Sequence, residues 1–291
     1  MRRIVCTADK GGVGKTTTVA NVAVRLGELG KRVLVVDVDG QGDATYSLLG
    51  ARPPLMAPGK RAHPSMYALM VEQAVFREVV VRAPRYPNIN VLPANKDLDR
   101  APLLMANDPG GTTILKRMLD SLPGNSYDFV LIDTAKGRDL LLINAVAAAD
   151  EVVVMVTPGT LEVDAVDRTV EHVESVRTKT LLGAERPRVL GILMTRADVR
   201  GDGSIETLTV SARRLLDETH PGMLFNTIIP EAVDYRRATS QAMSIFEYGE
   251  RRDSSKEDDP ESRYTVRVRK AAEAYEQFVQ EVLENVRSRE K

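Results

Sequence analysis

Asp9-Lys10-Gly11-Gly12-Val13-Gly14-Lys15-Thr16-Thr17 is the stretch on which the reading of this chain turns. It follows an apolar run of strand length, Arg3–Ala8. It opens a helical pattern, about Lys15–Leu29, that stops at Gly30, where a helix C-terminal glycine belongs. A glycine-rich turn between strand and helix lets successive backbone N–H groups point inward with no Cβ in the way, so they can surround phosphate oxygens. The helix N-terminus adds partial positive charge. In that setting Lys15 reaches the β- and γ-phosphates of a nucleotide, and the Thr16 hydroxyl ligates Mg²⁺. The strict phosphate-loop pattern needs glycine at position 9. Asp9 stands there instead, and a second lysine, Lys10, precedes the glycine pair.

Outward from the loop the chain alternates. Val33–Asp37, Phe129–Asp133, Glu151–Thr157, Val189–Thr195 and Phe225–Ile229 are apolar runs of strand length. Helical patterns lie near Thr112–Leu122, Leu161–Thr178 and Ser204–Thr219. Strands apolar on both faces that alternate with helices predict an α/β fold: a mostly parallel twisted sheet with helices on both faces, in a single domain over 1–291. Residues 51–64, rich in Pro and Gly, read as a surface loop, and 251–262, a run of mixed charges, as a mobile loop. A long helix over 263–288 follows, with Val268, Ala271, Ala272, Tyr275, Phe278, Val279, Val282, Leu283 and Val286 on one broad face.

At 43% apolar content the 291 residues suffice for a well-buried core, and a formal net charge of -1 means that any basic patch is local. The single cysteine, Cys6, excludes a disulfide framework and multi-cysteine metal sites, and it points to a reducing, cytoplasmic compartment. No signal-peptide core follows Met1. The longest apolar stretch, Leu140–Ala149, stops at Asp150-Glu151, well short of a membrane span. His63, His172 and His220 stand apart, without metal-ligand spacing, and read as structural or surface residues.

Asp133 closes an apolar run, which presents its carboxylate at the C-terminal edge of the sheet, where phosphoryl ligands bind. It is suited to holding Mg²⁺. Asp37 and Asp39 share one face at the end of another strand. One can hold a water on the metal while the other orients or deprotonates an attacking water.

Lys10-Gly11-Gly12-Val13-Gly14-Lys15-Thr16-Thr17 resembles the deviant Walker A loop of the ParA/MinD family of ATPases. Two more segments are similar to that family: Val35 to Thr45 after the second strand, and Tyr127–Asp133, its Walker B strand. The resemblance runs through nearly the whole chain. It implies ATP and Mg²⁺ as cofactors, with ATP held by Gly11, Gly12, Val13, Gly14, Lys15, Thr16 and Thr17. It assigns hydrolysis to Asp39 and places Asp37 in the outer shell of a metal held by Thr16 and Asp133. It implies that Lys10 crosses to the nucleotide of a second subunit, so that ATP binding and homodimerisation are linked and hydrolysis dissolves the dimer. Thr195, Arg196 and Pro230 lie where the family forms its base pocket. A ParB-like or other small adaptor that stimulates a slow hydrolysis is the implied partner.

Departures from the family pattern matter too. The chain starts about three residues before its first strand, which predicts no N-terminal helix-turn-helix domain. Non-specific DNA binding, the family's way of holding the nucleoid, needs basic surface. Relatives carry arginines after the Ile-Pro pair, whereas this chain has Glu231 and Asp234. Arg200, Arg236, Arg237, Arg267 and Lys270 are the compensating candidates. Gly40 replaces a proline and predicts a more flexible segment. Lys136 sits in place of a Pro-Pro pair after Asp133, near enough in sequence to approach the phosphates. A MinD-like membrane ATPase needs a basic amphipathic C-terminal helix, but this one carries Glu273, Glu276, Glu281 and Glu284. Enzymes of this fold that activate a carboxylate with ATP lack the second lysine, so Lys10 argues against that alternative.

Overall fold

Eight strands form one sheet: β1 (Arg2–Thr7), β2 (Val33–Val38), β3 (Val81–Arg82), β4 (Ile89–Leu92), β5 (Phe129–Thr134), β6 (Glu151–Val156), β7 (Arg188–Ala197) and β8 (Leu224–Pro230). The computed structural model describes residues 1–57, 60, 62–137, 139–181, 184–199, 205–253 and 263–289, with 160–163, 252–253 and 263–265 as backbone alone. Across the sheet the order is β3-β4-β2-β5-β1-β6-β7-β8, and every neighbouring pair is parallel except β3–β4. The helices are α1 (Lys15–Glu28), α2 (Asp43–Leu49), α3 (Met66–Met70), α4 (Phe76–Val79), α5 (Ala101–Met105), α6 (Ile114–Asp120), α7 (Leu140–Ala148), α8 (Thr160–Ser175), α9 (Thr207–Thr219), α10 (Val233–Ser240), α11 (Ile245–Asp253) and α12 (Arg263–Ser288).

Successive strand side chains point to opposite faces, so a strand apolar throughout needs a core on each side. In β2, Val33 and Val35 enter the core with the apolar faces of α1 and α12, while Leu34, Val36 and Val38 enter the other with α3, α6 and α7. The expected doubly covered sheet is therefore what forms.

β1 lies between β5 and β6. The chain leaves β1 through α1 toward β2 on one side, and it crosses from β5 through α7 to β6 on the other. The loops after β1 and β5 thus meet where the strand order reverses, the place where open α/β sheets take ligands. Topology alone brings Asp9–Thr17 and Asp133 together.

Several elements escaped the sequence reading: β3, β4, α2 to α5, α7, α10 and α11. The apolar stretch Leu140–Ala149 is helix α7 for most of its length, capped by the Asp139 carboxylate on the N–H groups of Leu141 and Leu142. Residues described within 51–64 hold no helix or strand, as expected. They are nonetheless tied down: the Asn95 amide donates to the carbonyls of Pro53 and Pro54, and Asp97 accepts the Met56 N–H. The expected loop over 251–262 is corrected at its start, where Arg251 to Asp253 finish α11, and 254–262 fall outside the described residues.

α12 keeps the predicted apolar face, with Ala274 added to it. Phe278 meets Phe225 of β8 edge to face, with centroids 4.9 Å apart, and the Tyr275 hydroxyl lies 3.1 Å from that of Thr18 in α1. Two of the acids that argued against a membrane face are engaged within the fold. Glu276 pairs with Arg25, and Glu281 accepts the N–H groups of Asn226 and Thr227 at 2.8 and 3.0 Å. Phe278→Ala is expected to lower the unfolding free energy by about 3–5 kcal/mol, the usual cost of emptying a buried aromatic site. Urea unfolding measures it, and a loss below about 1 kcal/mol would show α12 to be an appendage rather than part of the core.

Candidate nucleotide site

The loop between β1 and α1 turns at Gly12 (φ 77°) and Gly14 (φ 89°), both in the left-handed region that other residues avoid. Gly14 is also the N-cap of α1, so the first N–H groups of the helix open toward the loop. Two loop carbonyls are held from β7. The Thr195 hydroxyl lies 2.7 Å from the Val13 oxygen, and the Arg196 guanidinium donates to the Gly12 oxygen at 2.7 Å. Asp9, the residue that breaks the strict loop pattern, is ion-paired with Arg168 of α8 at 2.8 Å. No local pattern in the sequence pointed to Arg168, because the pair spans 159 positions.

Beneath the loop lies a cluster of charges. Lys15 is buried at 7% exposure, and Asp37 and Asp133 at 0%. Burial pushes the Lys15 ammonium down from its ordinary value, opposed by the charges of Asp133 and Asp39. Burial pushes Asp37 up to about 6, against hydrogen bonds from the Thr45 hydroxyl (2.6 Å), the Thr45 N–H (2.8 Å) and the Asp39 N–H (3.1 Å). Asp133 is held well above the carboxylate range, first by burial and then by the charge of Asp37. Neither of its oxygens has a formed hydrogen bond, although the Thr16 hydroxyl lies close enough to pull its pKa down. The thiol of Cys6 is driven to about 12, again chiefly by burial, and is inert.

A buried carboxylate with two unpartnered oxygens beside a threonine hydroxyl is the donor set a hard, oxygen-seeking cation requires. Thr16, Asp133 and Asp37 therefore fit Mg²⁺. Asp37 already accepts three protein donors, which makes it the anchor of α2 as much as an outer-shell ligand. Asp39 is half-buried, and its Oδ1 accepts the Gln41 N–H at 2.9 Å. Gly40 is more than a flexible link: a Cβ at that position would stand 1.9 Å from Oδ1 of Asp99. The glycine makes room for that carboxylate, which a proline would displace.

Beside the loop a cleft of about 270 Å³ is lined by Gly12, Thr17, Arg196, Pro230, Tyr235 and Tyr275, among others. Pro230 and Arg196, named in the sequence for the base, both line this cleft. Thr195 also borders the cleft, but its hydroxyl is engaged by the Val13 and Val156 carbonyls. Arg196 spans the cleft mouth to Glu231, with a 2.6 Å contact. A larger groove of about 590 Å³ lies elsewhere, between Gly27, Arg85 and Glu247, and holds none of the expected site residues.

The DNA candidates are arranged differently from the simple basic patch anticipated. Arg236 borders the same cleft. Arg237 and Arg267 both pair with Asp234, at 3.4 and 2.6 Å, and Asp234 is wholly buried. Lys270 is half-buried on α12, and Arg200 lies outside the described residues. Asp234 thus gathers the arginines rather than merely replacing one.

A family profile described as AAA domain matches residues 1–183. The chromosome-partitioning ATPase Soj of Thermus thermophilus is 35% identical over 249 residues, covering 85% of this chain and 88% of Soj. The chain belongs to the ParA/MinD family of P-loop ATPases. Within that family it is a ParA-like ATPase. Its fold superposes on Cyanothece McdA in complex with ATP, with a TM-score of 0.79 at 24% identity over 97% of this chain and 96% of McdA. It also superposes on cobyrinic acid a,c-diamide synthase from Mycobacterium smegmatis with a bound ATP analogue and magnesium. There the TM-score is 0.69 at 28% identity, over 89% of this chain and 97% of the synthase.

The charge cluster has a cost in the free protein. Two buried carboxylates face one buried ammonium, so removing one acid balances the site. A carboxyl raised in the folded state binds more protons folded than unfolded, so stability falls as pH rises from about 4 through the raised pKa. Asp133→Asn is therefore expected to stabilise the free protein at pH 7 by on the order of 1–3 kcal/mol and to flatten that fall. Urea unfolding from pH 5 to 8 measures both; a destabilised variant would mean that Asp133 is needed to neutralise Lys15.

Proposed function

We propose that this chain is an ATP-switched dimer that positions DNA or another cargo, with the nucleoid as its track in the cytoplasm. The observation that carries this reading is the contrast between the two lysines of one loop. Lys15 is buried over the acid cluster, while Lys10 is solvent-exposed at the head of the loop. A buried lysine serves the phosphates of its own subunit. An exposed one, five positions earlier on the far side of the glycine pair, is placed to meet the nucleotide of a second subunit.

Gly11 to Thr17 cradle the phosphates through backbone N–H groups, and Lys15 places its charge on the β- and γ-oxygens. Thr16, Asp133 and the outer-shell Asp37 would hold Mg²⁺, which supplies charge to the transferring phosphoryl group. Asp39 orients the attacking water from a half-buried turn. Pro230 and Arg196 bound the base, with Arg196–Glu231 across the cleft mouth. Hydrolysis removes the terminal phosphate that both lysines contact, and the dimer then loses its cohesion. A ParB-like or other small adaptor accelerates that step. The similarity to Soj supports partition as the setting.

DNA is met without sequence preference through the surface around α10 and α12, where Arg236, Arg237, Arg267 and Lys270 lie. ATP doubles the number of phosphate contacts by pairing two such surfaces.

Two measurements test the reading. Lys10→Ala is expected to keep its affinity for ATP within a few-fold yet sediment as a monomer with ATP and Mg²⁺, while the wild type and Asp39→Ala sediment as dimers. Normal dimerisation by Lys10→Ala would remove the trans contact. ATP-bound Asp39→Ala is expected to bind random duplex DNA, with affinity falling steeply between about 50 and 200 mM salt. Indifference to DNA at the lower salt would point to a cargo held through protein contacts instead.

A further inference from the structure

β5 ends at Thr134, and the chain turns through Ala135, Lys136 and Gly137 before Asp139 caps α7. Gly137 has a φ of 112°, a value that glycine alone adopts at little cost. The turn lays Lys136 against the phosphate loop. A Cβ built on Gly11 would stand 3.4 Å from the Lys136 Cδ and 3.7 Å from its Cβ, both ordinary packing distances. The aliphatic stem of Lys136 therefore rests on Gly11, against the phosphate loop.

The charge around Lys136 is lopsided. It is exposed, and it has no hydrogen bond or ion pair among the described residues. The neighbouring carboxylates are already engaged: Asp9 by Arg168, and Asp139 by the start of α7. Lys10 and Lys15 belong to the same loop, so Lys136 brings a third lysine to it, on the solvent side of the buried acids. A densely anionic ligand on the loop is attracted by all three. The position of Lys136 says which part of the ligand it meets. It lies three residues beyond Asp133, an acid that would help hold Mg²⁺, and it packs on Gly11, in the half of the loop farthest from the α1 N-terminus.

We propose that Lys136 contacts the terminal phosphate of the nucleotide bound in its own subunit, and so makes the site discriminate nucleoside triphosphate from diphosphate. The proposal rests on the nucleotide reading above and deepens it. Lys136 then acts in cis where Lys10 acts in trans. The triphosphate state is stabilised within one subunit before any partner arrives, and monomers enter dimerisation already loaded.

Calorimetric titration with a non-hydrolysable ATP analogue and with ADP, each with Mg²⁺, separates the outcomes. Lys136→Ala is expected to lose roughly tenfold in affinity for the analogue while ADP binding stays within about twofold, and Lys136→Arg restores most of the loss. The same differential loss is expected in the Lys10→Ala background, where dimers do not form. Equal losses for both nucleotides would make Lys136 a packing residue of the loop and overturn the proposal, as would unchanged binding of both. A loss that disappears in the Lys10→Ala background would place the contact across the subunit interface and overturn the same-subunit role. Failure of the wild type to bind either nucleotide would sink the nucleotide reading itself.

Discussion

A peptide unit points its C=O and N–H in opposite directions, so whatever holds the carbonyl outward turns the amide inward. In this chain the end of β7 does the holding, through Thr195 on the Val13 oxygen and Arg196 on the Gly12 oxygen. The phosphate loop is thereby fixed by the strand end that also borders the cleft. The glycines permit the turn, but they do not choose its direction; those two contacts do. Everything downstream, from the burial of Lys15 to the position of Lys10 and Lys136, depends on the loop being held in that orientation.

Beneath it the electrostatics are unbalanced on purpose of function rather than stability. A buried acid with unpartnered oxygens is destabilised until a cation arrives, and the buried ammonium is short of hydrating partners until phosphate does. Each half of a metal–nucleotide complex relieves one of these strains. In the proposed function, the metal-bound nucleotide thus suits the site better than either component alone. Its link to the surrounding fold is short, since Asp37 holds the N–H and hydroxyl of Thr45 and so ties α2 to the same cluster.

Much of this was legible in the sequence because it is local. The strand–loop–helix succession, the two-faced apolar strands and Asp133 at a strand end are all patterns within a few residues. The short strands β3 and β4 and the small helices were not, because segments of two to nine residues carry too little periodicity to register. Contacts between distant segments were equally invisible: Asp9 with Arg168, Arg196 with Glu231, and Asp234 with Arg237 and Arg267. Two residues were interpreted incompletely. Gly40 reads as flexibility until Asp99 is seen occupying its missing side chain. Thr195 reads as a pocket residue until its hydroxyl is found on the loop.

The acids of α12 carry a consequence of another kind. β8 is the last strand of the sheet, and Glu281 takes up the N–H groups of Asn226 and Thr227 on it. At the opposite margin β3 is only two residues long and runs antiparallel to its neighbour. An open strand border is a template on which chains of any kind can polymerise. One margin of this sheet is too short to serve, and the other has backbone donors occupied by a carboxylate from the C-terminal helix. A truncation ahead of Glu281 would strip that cover, and the product would be prone to stack edge to edge into insoluble material, whatever remained of its catalytic centre.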